Sequence, residues 1–326
     1  MPDFPRKSHD EFFKASFGRL EIALDYLEQL LPQDVHQTLD LSQLERMNGA
    51  WVTPELEEYF SDVVYRCPLK EGKRKVWISF LFEHKSSPDA FPHLQLLRYL
   101  LDAWQEQYKQ KQPLSPIVPI VVYHGLRKWR KRDLSSYFGK TLPQSLLPFL
   151  PRFDYVLTSV QTLSDEQILE LKKGLLINAL LMFKHIWRPQ FILKNPELIF
   201  VNLEPHTQQV RDFVVSLLAY LFKNTEIARE TANKFIKQMP DGLNENAMST
   251  YDMIKAEGIE QGAELKEREF IKNLWSLQEF PLEKIALLSG TSQERVIEIL
   301  LAHLQEEGLN EVVVVQMLEA YQTKFV

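Results

Sequence analysis

YFSDVVYRCPLKEGKRKVWISFLFEHK, residues 59–85, is the stretch that decides the fold. Its two arms, YFSDVVYRC (59–67) and KVWISFLFEHK (75–85), are rich in β-branched and aromatic residues, which suit a pleated, half-buried surface. Between them, Leu69-Lys70-Glu71-Gly72-Lys73 is polar, and its glycine suits a tight turn. The arms are therefore predicted to form an antiparallel hairpin. Side chains alternate faces along a strand, so Glu83 and Lys85 share one face and His84 takes the other. A turn centred on Glu71-Gly72 sets residue 60 opposite Glu83. Asp62 then lies on the face of Glu83, one diagonal step away. Diagonal neighbours are roughly 7–8 Å apart at the backbone, which leaves room for a divalent ion between two carboxylates. A slip of one residue would turn Asp62 to the opposite face.

Two carboxylates followed by a lysine suit phosphodiester cleavage. Hard carboxylate oxygens, with the His84 carbonyl as a further donor, match Mg²⁺ or Mn²⁺. Such an ion activates a bound water and offsets charge on the scissile phosphate. Lys85 would orient that water or stabilise the transition-state charge. A plainer reading exists, because an acid and a lysine two apart on a strand are common surface residues. Against it, Phe80-Leu81-Phe82 mark a buried strand, and charges where it emerges need a reason, since unpaired burial is costly.

Outward from the hairpin, residues 9–31 carry Phe12, Phe13, Phe17, Leu20, Leu24 and Leu27 at helical spacing, with Pro32 as the stop. A first strand is expected within 40–53 and a second helix over 92–108. IVPIVVY (117–123) has the continuous apolar character of a strand buried on both faces. FDYVLTSV (153–160) reads as another strand, and helices are expected over 165–186, 207–222 and 226–238. This order predicts a mixed α/β domain over 1–240 with a helical second half. Residues 239–250 turn polar and turn-rich, so a linker is placed over 241–262, although KAEGIEQGAELKEREF (255–270) already reads as a polar, glycine-interrupted helix; a helical C-terminal extension follows over 263–326.

The chain has 326 residues and one cysteine, Cys67. An intrachain disulfide is thus impossible, and a reducing, cytoplasmic setting is expected. MPDFPRKSHDEFFK lacks the apolar run of a signal peptide, and no apolar run approaches the ~20 residues of a spanning helix. No membrane partner is expected. The net charge of −6 does not favour a DNA-coating role, although the local field at a binding face matters more than the total.

HDEFFKASF (9–17), SDVVYR (61–66), FLFEHKSSPD (80–89), LLRYLLDAW (96–104) and IVPIVVYHGLRKW (117–129) follow one another in that order. In this the chain resembles the recombination-promoting nuclease (Rpn)/putative transposase family of the PD-(D/E)xK nuclease superfamily, over roughly residues 8–240. The resemblance implies a restriction-endonuclease-like mixed sheet flanked by helices, and Mg²⁺-dependent DNA endonuclease activity. Carried over, the motif aspartate is Asp62, the glutamate Glu83 and the basic position Lys85, where many members have Gln.

Other residues follow from position. Asp10 opens the first helix, where the resemblance lets an acid join the metal site; an acid there also simply favours the helix dipole. Gln95, Arg98 and Tyr99 lie on the helix after the hairpin, and Gln95 is a candidate accessory contact to the site or the DNA backbone. Arg127, Lys128, Arg130, Lys131 and Arg132, with Lys73 and Arg74 near the hairpin turn, are candidate phosphate contacts, and Trp129 a candidate base-stacking residue. Charge runs are also ordinary solvated loops. Leu282–Leu300 has helix-turn-helix spacing through Ala286, Gly290 and Val296. Its second helix would present Gln293, Glu294, Arg295 and Glu298, which favours a structural or protein-interaction role over DNA reading. Self-association or a protein partner through the C-terminal helices is accordingly expected beside DNA. The alternative to an endonuclease is a non-catalytic nucleic-acid-binding or regulatory protein that kept the fold.

Overall fold

The computed structural model describes residues 6–47, 63–71, 75–83, 91–139, 142–172, 174–203, 207–244 and 246–325. The chain divides into two compact units, Met1–Tyr251 and Asp252–Val326.

The first unit is mixed α/β. Its sheet has five strands in sequential order: β1 (Glu45–Arg46), β2 (Val63–Pro68), β3 (Lys75–Glu83), β4 (Ile117–Tyr123) and β5 (Val156–Ser159). The hairpin forms as expected. Val63 pairs with Phe80 and the ladder runs to Pro68 against Lys75, antiparallel, which is the register that the turn at Glu71-Gly72 implied. β1 adds antiparallel to β2, whereas β4 lies parallel to β3 and β5 parallel to β4. Pro119 is tolerated within β4 because β5 joins only from Ile120 onward. At Pro119 the strand has β3 alone as a neighbour, so the missing N–H leaves the sheet intact.

α1 (Arg6–Phe17) and α2 (Leu20–Leu30) lie on one side of the sheet, and α6 (Gly174–His185) and α9 (Gln208–Lys223) pack against them; the intervening short helices are α3 (Gln33–Thr38), α5 (Asp165–Leu169), α7 (Pro189–Lys194) and α8 (Pro196–Ile199). Phe12 stacks on Tyr220 with ring centroids 4.3 Å apart, and Phe13 on Phe17 at 4.7 Å. All four rings are buried, and each such side chain contributes roughly 1.5–3 kcal/mol by leaving water. Two tyrosine hydroxyls form hydrogen bonds within this layer. The Tyr65 hydroxyl donates to the Phe17 carbonyl at 2.7 Å, and Tyr26 shares a hydrogen bond with Thr158 at 2.5 Å. Cys67 is buried beside the Asp40 carbonyl, and burial pushes its thiol up to about 11.

The other side of the sheet is covered by α4 (Pro92–Lys109). Its Leu96, Tyr99 and Leu100 pack with Val121 and Tyr123, while Ala103 reaches Val64. Trp104 donates to the Ser115 carbonyl at 2.9 Å. α4 therefore runs from the C-terminal ends of the parallel strands back to the start of β4.

Two sequence expectations differ from the fold. The single helix over 9–31 is two helices, broken at Gly18-Arg19. A Cβ on Gly18 would stand 2.3 Å from the Lys14 carbonyl oxygen, and Arg46 donates to the Gly18 carbonyl at 2.9 Å. Helix periodicity survives such a break, so the pattern alone cannot reveal it. The polar stretch expected as a linker over 241–262 is helical from Ala247, because α11 spans Ala247–Ser276; α10 (Arg229–Lys237) precedes it. Ala, Met, Glu, Lys and Gln outweigh Gly258 and Gly262, each costing about 1 kcal/mol in a helix.

In the second unit, α12 (Leu282–Ser289), α13 (Gln293–Glu306) and α14 (Glu311–Thr323) close around Ile271, Leu282, Ile285, Val296, Leu300, Val314 and Leu318. Gly290 ends α12 in the left-handed region at φ 71°, and Ser292 caps α13 by accepting from the Arg295 amide at 3.2 Å. No helix of the described residues is long and apolar enough to cross a membrane.

Candidate active site

The C-terminal ends of β3 and β4 lie side by side at one edge of the sheet. β3 ends at Glu83, whose backbone position pairs with Tyr123, the last residue of β4. Strand ends of parallel sheets are where α/β folds commonly hold ligands. Asp62, His84 and Lys85, as well as Lys73 and Arg74, lie outside the described residues. The hairpin register that would bring Asp62 beside Glu83 is present in the described part of the ladder.

His124 follows directly and anchors this edge from below. Its carbonyl accepts from Trp187 Nε1 at 2.8 Å and from Gln161 Nε2 at 3.2 Å. Its buried ring packs on His9 at 4.9 Å and on Trp187 at 5.3 Å between centroids. His9 in turn bonds Tyr220 through Nδ1 at 2.5 Å. Contact between His9 and His124 fixes the first turns of α1 against the end of β4. Asp10 follows His9 in sequence and is half-buried. Asp10 does not open its helix: α1 starts at Arg6, so Asp10 sits a full turn inside. The dipole explanation for this acid loses force accordingly, since that effect fades beyond the first turn.

Gly125 continues the chain beyond the edge. A Cβ there would lie 2.4 Å from the Tyr123 hydroxyl oxygen, so glycine lets the chain turn over that ring. The basic segment comes next. Arg127, Lys128, Arg130 and Arg132 are exposed. Lys131 is engaged within the protein, 2.7 Å from Asp154 and over the Tyr155 ring at 5.1 Å. Burial opposes ionisation of Asp154, but the Lys131 hydrogen bond and charge, with the Tyr155 amide, hold its carboxyl below the usual range.

Trp129, a candidate base-stacking residue by sequence, belongs to the core instead. It is 6% exposed, packed edge-on against Tyr123 at 5.0 Å, and its indole N–H reaches the Tyr155 hydroxyl at 3.3 Å. A ring committed to the core cannot stack on a base; it pins the cationic loop to the sheet instead. Gln95 lies half-buried in the first turn of α4, at the same strand edge. Arg98 pairs loosely with Asp102 at 3.8 Å on the helix surface, and Tyr99 is in the core.

Sequence spacing did not reveal the aromatic network here. His93, 1% exposed, meets Tyr137 at 5.4 Å, Phe153 at 5.4 Å and Tyr155 at 5.3 Å. Burial pushes its imidazole below the ordinary histidine range. These residues come from three separate segments, and no local pattern ties them together.

Charge is divided unevenly. Asp252–Val326 holds 7 Lys/Arg and 14 Asp/Glu, a net −7, which leaves the unit with the sheet at +1. The acidity that argued against nucleic acid thus does not belong to the unit carrying this edge. In the helix-turn-helix segment, Arg295 is held by Glu264 at 3.0 Å and Glu298 at 2.9 Å. Its guanidinium is already engaged with acids.

The family model described as "Putative transposase, YhgA-like" matches residues 7–211. The chain belongs to this YhgA-like putative transposase family. Within the Rpn/putative transposase group, it is 24% identical over 237 residues to "Recombination-promoting nuclease RpnD" of Escherichia coli O157:H7, covering 71% of this chain and 86% of that protein. It is 24% identical over 298 residues to "Recombination-promoting nuclease RpnA" of Escherichia coli K12, covering 88% and 95%. It is also 25% identical over 275 residues to the K12 protein "Inactive recombination-promoting nuclease-like protein RpnE", covering 78% and 83%. No solved structure matches the chain. The family match spans α1, the whole sheet and α4, and therefore every element that forms the strand edge.

Proposed function

We propose that this protein is a metal-dependent DNA endonuclease, linked to recombination or mobile elements, whose sheet is a PD-(D/E)xK core of the restriction-endonuclease-like kind. The observation that carries the reading is convergence on one edge. The Glu83 backbone pairs with the last residue of β4, α1 meets the residue after β4 through His9, and the exposed cations follow β4 in sequence, which supports an edge site that Asp10 and Gln95 would join. The similarity to the recombination-promoting nucleases RpnD and RpnA supports nuclease chemistry.

The donor set is all oxygen: the carboxylates of Asp62 and Glu83 and the His84 carbonyl, with Asp10 as an added acid. That chemistry fits a hard divalent cation such as Mg²⁺ or Mn²⁺. When bound, the ion would lower the pKa of a coordinated water and offset phosphate charge. Lys85 would orient the attacking water and stabilise charge on the phosphate oxygens. Arg127, Lys128, Arg130 and Arg132 would hold the flanking backbone, with Lys73 and Arg74 as further contacts. Lys131 would contribute less, being committed to Asp154. Backbone contacts carry little sequence information, so loose sequence preference is expected. With a single buried cysteine, a cytoplasmic location suits the chain.

The second reading, a non-catalytic DNA-binding or regulatory protein, is favoured by the relative named inactive. Cleavage of supercoiled plasmid with Mg²⁺ or Mn²⁺ separates the two. Metal-dependent cleavage that disappears in both Asp62→Ala and Lys85→Ala is the expected result. Equal activity in all three proteins would remove these residues from the site, and DNA binding without cleavage in any of them would move the chain to the second reading.

A further inference from the structure

We propose that Phe91 and Tyr137 form a stacking platform for an unpaired nucleobase, so that the DNA this protein prefers carries an unstacked or single-stranded base beside the duplex. The proposal rests on the nuclease reading and adds the substrate class to it.

Phe91 is 49% exposed, and its ring lies 5.1 Å from that of half-buried Tyr137, tilted by 58°. Large exposed aromatics usually sit on pliant surface, but this pair is supported from beneath. Tyr137 packs on His93, His93 on Tyr155, and the Tyr155 hydroxyl accepts from Trp129, whose indole meets Tyr123. His93, Tyr155, Trp129 and Tyr123 are all buried. The column thus begins at solvent and ends at the strand position paired with Glu83. Phe91 also immediately precedes Pro92, the first residue of α4, which restricts its backbone.

Charge on the loop tied to the other end of this column selects the occupant. Arg127, Lys128, Arg130 and Arg132 are exposed on the loop that Trp129 pins into the same column. Cations that track a phosphate backbone next to exposed aromatic faces are the ordinary means of binding single-stranded nucleic acid. A base inside a duplex is already stacked on both faces, and only one released from its neighbours can meet the rings.

The test is equilibrium binding by the full chain in EDTA, where cleavage plays no part. The probes are labelled oligonucleotides of matched length: a fully paired duplex, the same duplex with one unpaired base, and a single strand. Stacking is worth about 1–3 kcal/mol per base, roughly 5- to 150-fold in affinity. Phe91→Ala and Tyr137→Ala are each expected to weaken binding of the single strand and the unpaired-base duplex about tenfold. Their binding of the paired duplex should stay within about twofold, and Phe91→Tyr should restore the preference. A 2-aminopurine at the unpaired position should be quenched by the wild type and not by Phe91→Ala. Equal losses on all three probes, or no loss on any, would overturn the platform while leaving plasmid cleavage and its dependence on Asp62 as they are. Absence of binding to every probe would overturn the platform, while plasmid cleavage with Mg²⁺ or Mn²⁺ decides the nuclease reading separately.

Discussion

Trp129→Ala distinguishes a core anchor from a surface base-stacker. A buried tryptophan removes about 150–250 Å² from water. Truncation to alanine gives back roughly 150 Å² of that, which at about 25 cal/mol per Å² comes to about 4 kcal/mol. This agrees with the span of about 3–5 kcal/mol for core Trp→Ala substitutions. The indole hydrogen bond to the Tyr155 hydroxyl at 3.3 Å is long, so its loss adds at most about 1 kcal/mol. We expect about 4 kcal/mol of destabilisation in urea unfolding followed by circular dichroism. Trp129→Phe keeps the edge contact with Tyr123 and should cost about 1–2 kcal/mol. DNA affinity, measured where both proteins are folded, should fall modestly, because the exposed cations remain on a loop that has lost its pin. A destabilisation below about 1 kcal/mol, joined to a large loss of DNA affinity, would falsify the core assignment and return Trp129 to the DNA surface.

Neutralising Arg127, Lys128 and Arg130 together should flatten the dependence of DNA binding on salt by about 0.9 in log–log slope per lost phosphate contact; an unchanged slope would make the loop merely solvated. Gly290→Ala forces a side chain into the left-handed region at φ 71° and should cost the second unit about 1–2 kcal/mol, read as an earlier urea transition of the C-terminal helices. Acid should weaken the first unit below about pH 6.5. His93 and His185 are both held below the ordinary histidine range, chiefly by burial. Each contributes stability that is complete above the unfolded value and is lost as pH falls through the folded one. The cationic partner of Asp165 is therefore Lys184, 2.5 Å away, rather than His185. In His185→Gln the fall in urea midpoint between pH 7 and pH 5 should be smaller than in the wild type; an identical fall would remove His185 from the effect.

The hairpin was legible because period-two alternation and a polar, glycine-bearing turn are local properties. Its observed register, Val63 against Phe80, is the one that a turn at Glu71-Gly72 requires. The buried strand 117–123 was legible for a similar reason, since a short apolar run bounded by prolines and a glycine has few other uses. The helix-turn-helix spacing at Ala286, Gly290 and Val296 likewise emerged as two helices joined at a left-handed glycine. The break at Gly18 was hidden, because it depends on the Lys14 carbonyl and on Arg46, 28 residues further on.

Tertiary structure alone decided which residues of the basic segment face solvent and which belong to the core. Composition marks Trp129 and Lys131 as members of a cationic, aromatic run, but burial turns one into a pin and Asp154 captures the other. The gathering of His9, His124, Trp187 and Tyr220 beneath the strand edge was equally beyond the sequence, since Tyr220 lies 211 residues from its hydrogen-bond partner His9. Periodicity records which face of an element is buried. It does not record what that face is buried against, and the candidate site is built from the second kind of information.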